Sequence, residues 1–414
     1  MTLRVRGQEK IYTATDKLFE LSSCQPIGIM VYNNLEFMGV PFELAIKHFR
    51  ELNKENPFAT VEAASAAFLH YLNSNWMPDE ELVKKHTFQV ILPIFQEIQN
   101  SFNVGVRQAL AAAPLPKRGK KKKFPDIGAI FTAAAAEQKA KYESMVSEGD
   151  IGSIPFERLE KSFGEVIAAA EATFFDGLPL DEEDHALIRA VAIHALKSSE
   201  FSNLLTGLVF AGFGTQEMFP ALHAVEIDGV VEGILKQRKI KTFVSTRGDL
   251  EAEIIPFAQR EMADRFMFGV DPEFEAGLEG FFEGLIKSTG SLIIATSKVG
   301  RRKEKLLKEK LDEAVTQSLK SLTEDLIPKA KQKFRQQVED MVLFMPKAEL
   351  ASLAEALVNI TSIKRKYSAE QESVAGPVDV AVISRNDGFV WVKRKHYFDP
   401  SLNPRFFSRK YGHH

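Results

Sequence analysis

The sequence predicts an α+β fold in which strands from distant parts of the chain meet in layers between helical blocks. Three observations carry this. Strand-patterned segments occur at 10–34, at 204–234 and at 376–398, with the alternating or continuous apolar runs of half-buried and buried strands. Segments of helical spacing fill 40–112, 127–200 and 250–360. Strands so widely separated bury their faces by coming together in space, which an alternating βαβ order does not describe.

Taken in order, "KIYTATDKLFEL" alternates as one strand, "SSCQP" turns, and "IGIMVY" is short and apolar enough for a buried strand. "VPFELAIKHFRELN" follows as a helix with Pro41 near its first turn. Two more helices, "VEAASAAFLHYLNS" and a long one capped by Asp79 and kinked at Pro93, complete a first block over 1–112. A basic linker and helical insertion occupy 113–200, opening with six basic residues in the run 117–123 and closing in "DEEDHALIRAVAIHALKSS". The run reads as a solvated linker, since no aromatic platform accompanies it. Asp181 to Asp184 suit a helix N-terminus.

A middle block, 201–272, holds "LLTGLVFAGFG" and "PALHAVEIDGVVEGI", with Asp228-Gly229 as the expected hairpin turn, and then "EIIPFAQREMADRFMFG" as a helix. A second helical insertion covers 273–350. The closing block, 351–414, contains a helix, a hairpin turned at Asn386-Asp387-Gly388, and a polar tail.

Composition narrows the function classes. The 414 residues are 45% apolar and 26% charged with net charge −3, the balance of a soluble globular protein and no global nucleic-acid or membrane signal. Cys24 is the one cysteine; it excludes a disulfide framework within the chain and is expected to pack. No apolar run reaches membrane-spanning length and the N-terminus lacks a signal-peptide core, so the chain reads as cytoplasmic. No Walker loop, G-x-S-x-G elbow or H-E-x-x-H occurs. His185 and His194 lack a carboxylate at ligand spacing, so no metal site is expected.

Three segments together resemble proteasome β-type subunits and their bacterial two-ring relatives among the N-terminal-nucleophile hydrolases: "KIYTATDKLFEL…PIGIMVYNNLEFMG", "TGLVFAGFG…PALHAVEIDG" and "GPVDVAVISRNDGFVW". Overall the chain is most similar to a group of long bacterial relatives of these enzymes. The matches cover about a third of the chain, and the long helical blocks have no counterpart in the compact subunits. The resemblance implies an αββα four-layer sandwich with long helical insertions, and threonine-type peptide or amide hydrolysis without metal or other cofactor.

In that family an N-terminal threonine attacks and its own α-amino group, with a pKa of about 7.7–8.0, takes the proton. A lysine supports it and a backbone N–H holds the oxyanion. Lys17 matches the catalytic lysine, although an ordinary strand lysine reads equally well there. "GIMVYNN" matches the oxyanion strand, with Asn33 where the family expects glycine; asparagine tolerates unusual backbone angles. Thr2 is a nucleophile only if removal of Met1 exposes it. Two strands of typical length need on the order of fifteen residues, and the stretch before Lys17 already reads as the strand leading into it, so the nucleophile hairpin is expected to be missing and the chain catalytically incomplete as written. The alternative is a non-catalytic, self-associating scaffold of the same fold. Either way a homo-oligomer is expected, with a peptide or protein substrate if the chain is active, and neither specific nucleic acid nor membrane as partner.

Overall fold

The computed structural model describes residues 2–5, 8–11, 16–112, 125–147, 149–246, 252–270, 272–296, 301–367, 377–395 and 398–411. It divides into two compact units: a sheet unit of Lys17–Val244 with Ile383–Gly388, and a helical unit of Met1–Asp16, Ser245–Val382 and Phe389–His414. This grouping by contact differs from the five consecutive blocks expected from composition. The basic run 117–123 lies outside the described residues.

The chain opens with β1 (Thr2–Val5) paired antiparallel to β2 (Gln8–Ile11), assigned to the helical unit. The expected single strand over 10–21 is therefore two, with β2 and β3 (Leu18–Glu20) in different sheets. The short β1–β2 hairpin, of four residues a strand, precedes Lys17 in sequence but belongs to the other unit.

In the sheet unit, β3 is followed by β4 (Ile27–Asn33), whose continuous apolar run suits a strand covered on both faces. A small pair, β5 (Glu36–Phe37) and β6 (Val40–Pro41), leads into α1 (Phe42–Leu52), which Pro41 precedes as expected. Next come α2 (Val61–Asn75) and α3 (Glu80–Ala112). Thr60 caps α2 by accepting from the Ala63 N–H, and Asp79 accepts from Leu82 N–H at the start of α3. Pro93 sits inside α3, which continues past it.

Four more helices follow: α4 (Ile127–Glu143), the short α5 (Asp150–Ser153), α6 (Phe156–Phe175) and α7 (Glu182–Lys197). As the acidic run predicts, Asp181 caps α7, in a capping box with Asp184. Helices α3, α4, α6 and α7 share a core in which Phe95, Phe131 and Phe175 meet ring against ring.

The chain then returns to the sheet as β7 (Thr206–Gly212), β8 (Ala221–Val231) and β9 (Ile234–Val244). The sheet is an antiparallel meander in the order β3-β4-β7-β8-β9, and the described residues form three further sheets of two strands each. Helix α2 covers one face, with Phe68 against Phe210.

The expected turn at Asp228-Gly229 is corrected: both residues lie inside β8, where the register shifts between Ile227 and Val230. Gly229 has φ 72°, and the chain reverses at Glu232-Gly233, with φ 52° and 79°. The Asp-Gly pair marks a bulge because the aspartate faces inward to partners described below. Cys24 is also corrected. It is exposed in the bend between β3 and β4, not packed.

The helical unit holds α8 (Glu261–Phe268), α9 (Pro272–Thr296), α10 (Arg301–Lys320), α11 (Ile327–Leu343) and α12 (Lys347–Tyr367). Helix α8 is shorter than the expected segment and begins after Pro256. A π-helical stretch, Ser321–Leu326, joins α10 to α11. Pro328 follows it, and a proline without an N–H explains why the ladder loosens there. The expected closing hairpin is β10 (Val380–Ser384) and β11 (Gly388–Lys393), turned at Gly388 with φ 79° and forming its own two-stranded sheet. The polar tail forms α13 (Pro404–Tyr411).

Candidate functional site

The meander fixes where two of the three sequence-derived site residues lie. The Lys17 carbonyl accepts from the Val31 N–H at 2.7 Å, extending the β3–β4 ladder one residue beyond Leu18↔Met30. Asn33 ends β4 two residues after Val31 and is exposed. Lys17 and Asn33 therefore lie at the same end of adjacent strands, offset along the strand by about 6.7 Å. Asn33 has φ 62°, the left-handed region that glycine and asparagine adopt most readily. Thr2 pairs with Ile11 in β1–β2, which belongs to the other unit.

The same end of the sheet carries a polar network, buried at Tyr32 and Glu226, that the sequence did not announce. Tyr32, Gly207, Glu226 and Arg238 are consecutive register partners across β4, β7, β8 and β9. The Tyr32 hydroxyl donates to Glu226 Oε1 at 3.0 Å, and Arg238 donates twice to Glu226 Oε2, at 2.9 and 2.6 Å. Burial, then the Glu226 charge, pushes the Tyr32 phenol well above its ordinary range, so it stays a donor. Gly207 makes this possible: a Cβ there would sit 1.8 Å from the Tyr32 ring. By strand alternation Lys17 shares the opposite face with Val31 and Leu208.

One bulge further along β8 stands Asp228, 3% exposed. Ser202 gives it two hydrogen bonds, backbone N–H to Oδ2 at 2.7 Å and Oγ to Oδ1 at 2.6 Å. His86 on α3 stands 3.7 Å from Oδ1. Lys236, also buried, donates to the Glu200 carbonyl at 2.7 Å. Burial alone would raise the Asp228 pKa, but His86, the Ser202 hydrogen bonds and the Lys236 charge overcome it and hold the carboxyl below its usual range. Burial lowers the Lys236 ammonium. Phe201 lies over both Lys236 and Arg238, 5.3 and 4.3 Å from its ring centre.

Chemically this network ties strands together. A carboxylate held ionised is a poor base, and Ser202 Oγ already donates to it while accepting from Leu204 N–H at 3.1 Å. The sequence signal was present: Glu226 and Asp228 alternate within an apolar strand, and Lys236 and Arg238 alternate in the next. Placing the turn at Asp228-Gly229 hid it, because only a turn at Glu232-Gly233 sets Glu226 against Arg238.

Elsewhere, His185 pairs with Glu171, and no cluster of three or more metal-ligating side chains occurs among the described residues. A shallow polar cleft in the helical unit is lined by Glu253, Arg335, Glu339 and Asp340. Arg335 is bonded there to both Glu253, at 3.2 Å, and Glu339, at 2.6 Å. No helix among the described residues is long and apolar enough to cross a membrane.

Fold and site together define a mixed α/β chain with an antiparallel meander and extensive helical additions. No protein-family model, curated protein or solved structure matches it.

Proposed function

We propose that the sheet unit is one layer pair of an N-terminal-nucleophile, proteasome-like αββα sandwich, and that the chain belongs to the threonine-type peptide and amide hydrolases. The observation that carries this reading is the register that brings Lys17 and the left-handed Asn33 to one end of neighbouring strands. In this reading the Lys17 ammonium favours the free-amine form of an N-terminal threonine, whose amine accepts the hydroxyl proton. The Asn33 backbone N–H receives the negative charge that develops on the carbonyl oxygen. Positive φ at Asn33 supports the second role, since it replaces the glycine such a turn would otherwise need.

The test is hydrolysis of small peptide amides, with mass spectrometry to locate the residue modified by an electrophilic peptide. Lys17→Ala is expected to lower kcat by about 100-fold or more, the scale of removing a group that tunes the base. Activity that is untouched by Lys17→Ala, or an adduct on a residue other than a threonine, would sink the reading.

A second reading, a non-catalytic self-associating scaffold of the same fold, is favoured by one observation. Helix α9 exposes a row of large apolar side chains: Phe281 at 63%, Leu285 at 46% and Leu292 at 65%. Absence of hydrolysis together with a defined oligomer would select it.

A further inference from the structure

The kink that ends β4 is held by a short strap whose own anchor is the buried Asp228. Asn33, with φ 62°, is a strained backbone position, and such strain persists only where the surroundings over-determine it. The residues on both sides of it are fixed. Tyr32 is tied through its hydroxyl to Glu226 at 3.0 Å. Asn34 binds the segment 204–206 through three groups. Its N–H donates to the Leu205 carbonyl and its side-chain Nδ2 to the Leu204 carbonyl, both at 3.4 Å, while its own carbonyl accepts from Thr206 Oγ1 at 3.1 Å.

The segment that receives Asn34 is in turn shaped by Ser202. The Ser202 Oγ accepts from Leu204 N–H at 3.1 Å and its carbonyl from Leu205 N–H at 3.2 Å, which closes 202–205 into a turn. Ser202 then joins the turn to β8, its N–H and Oγ donating to the two oxygens of Asp228 at 2.7 and 2.6 Å. Bonds to an ionised acceptor are stronger than bonds between neutral groups, so Asp228 is the firm end of the chain of contacts. Just upstream, Lys236 holds the Glu200 carbonyl at 2.7 Å.

The ladder also fixes the direction of the Asn33 N–H. Asn34 N–H reaches toward β7, whereas Val31 N–H reaches toward β3, to the Lys17 carbonyl at 2.7 Å. Successive N–H groups of a strand alternate between its two edges, so the Asn33 N–H is directed to the β3 side, beyond Lys17. Released from 204–206, Asn34 would let that peptide group rotate.

We propose that Asp228 is a positioning residue for the site at Lys17 and Asn33. Through Ser202 and the turn 202–205 it holds Asn34, and so keeps the Asn33 N–H aimed where the carbonyl oxygen of a peptide or amide substrate develops its charge. The catalytic meaning of that N–H rests on the hydrolase reading; the hold on the turn does not.

Amide hydrogen exchange on the full chain reads the hold directly. Ser202→Ala removes the hydroxyl that joins Asp228 to Leu204. It is expected to speed exchange at Asn34 by at least about tenfold, the scale of one lost hydrogen bond to a charged group. Exchange at Leu208 and Phe210, in the middle of β7, should stay as in the wild type. Asp228→Asn should act in the same direction, and Ser202→Thr, which keeps the hydroxyl, should restore slow exchange. Hydrolysis of small peptide amides reads the consequence. In Ser202→Ala kcat should fall by at least about tenfold with KM within about twofold, as for a misaimed donor, and Ser202→Thr should recover it.

Exchange at Asn34 that is unchanged in both Ser202→Ala and Asp228→Asn overturns the hold. Exchange that quickens equally at Asn34 and across β7 overturns it as well, since that is general loosening. A wild type that hydrolyses, with a Ser202→Ala variant that keeps its kcat, overturns the positioning role and leaves the hydrolase reading standing. A wild type that hydrolyses nothing overturns the reading and the role together, and exchange alone then decides the hold.

Discussion

The two units use the same kinds of apolar residue to opposite ends. In the sheet unit the largest fully buried side chains include Phe42, Phe68, Phe95, Phe131 and Phe210, packed between the sheet, α2 and the helical group. In the helical unit Phe274, Phe281, Phe334 and Phe344 are between 49% and 84% exposed. Its helices are also linked by ion pairs near the surface, such as Glu261 with Lys364 and Arg365, and Arg335 with Glu253 and Glu339. Such pairs contribute about 0–1 kcal/mol each, whereas one buried phenylalanine contributes several times that. The sheet unit is thus built to be rigid, and the helical unit to present surface.

Substitutions in the two units should separate this contrast clearly. The largest effect is expected at Asp228. Asp228→Ala removes the partner of Ser202 and His86 and leaves the buried Lys236 with only the weaker influence of Glu200 as counter-charge. Breaking such a buried pair costs about 3–5 kcal/mol, measurable by chemical denaturation, and a loss below 1 kcal/mol would show that solvent reaches the cluster.

The same carboxylate predicts an acid limb. Its pKa is lowered in the folded state, so below the unfolded value of about 3.9 the unfolded chain binds the proton more readily. The Asp228 contribution is therefore complete above that value and is lost as pH falls toward the folded pKa. A denaturation series should find this fall in the wild type and its removal in Asp228→Asn.

Gly207→Ala comes next. Its Cβ would collide with the Tyr32 ring, and overpacking of this kind costs about 1–3 kcal/mol. Displacing the ring should also release the Tyr32 hydroxyl from Glu226, lowering the tyrosine pKa toward its ordinary range in an absorbance titration. The smallest effect, and of opposite sign, belongs to the helical unit. Gly284 in α9 has nothing within 4 Å of a would-be Cβ, so Gly284→Ala should raise stability by up to about 1 kcal/mol. A decrease would mean that this side of α9 is already occupied.

Much of the architecture was legible because it rests on local rules. Asp79 and Asp181 begin helices where side-chain oxygens meet free N–H groups, and Gly388 turns a hairpin because it can take positive φ. The misreadings came where distant groups overrode local preference. Asp228-Gly229 is a good hairpin turn in isolation, yet Ser202, His86 and Lys236 hold the aspartate inside β8. Likewise the alternation of "KIYTATDKLFEL" is continuous in sequence, but β2 and β3 find separate partners, β1 and β4. The position of Lys17 relative to Asn33 followed from reading β3 and β4 as neighbours. The Tyr32–Glu226–Arg238 row did not, because it depends on pairing across the whole helical excursion.

That excursion has a consequence for how the chain reaches its fold. Thr206 Oγ1 donates to the Asn34 carbonyl across 172 residues of sequence. β3–β4 and β7–β8–β9 can each zip locally, but the seam between them closes only after everything in between has compacted. Loop-closure entropy rises only with the logarithm of length, about 0.6 kcal/mol for each doubling. Inserting the whole group α3–α7 there therefore weakens the finished sheet very little, while the long-range pairing slows its formation. The seam between β4 and β7 is where this fold tolerates growth, and the time taken to fold is where that growth is felt.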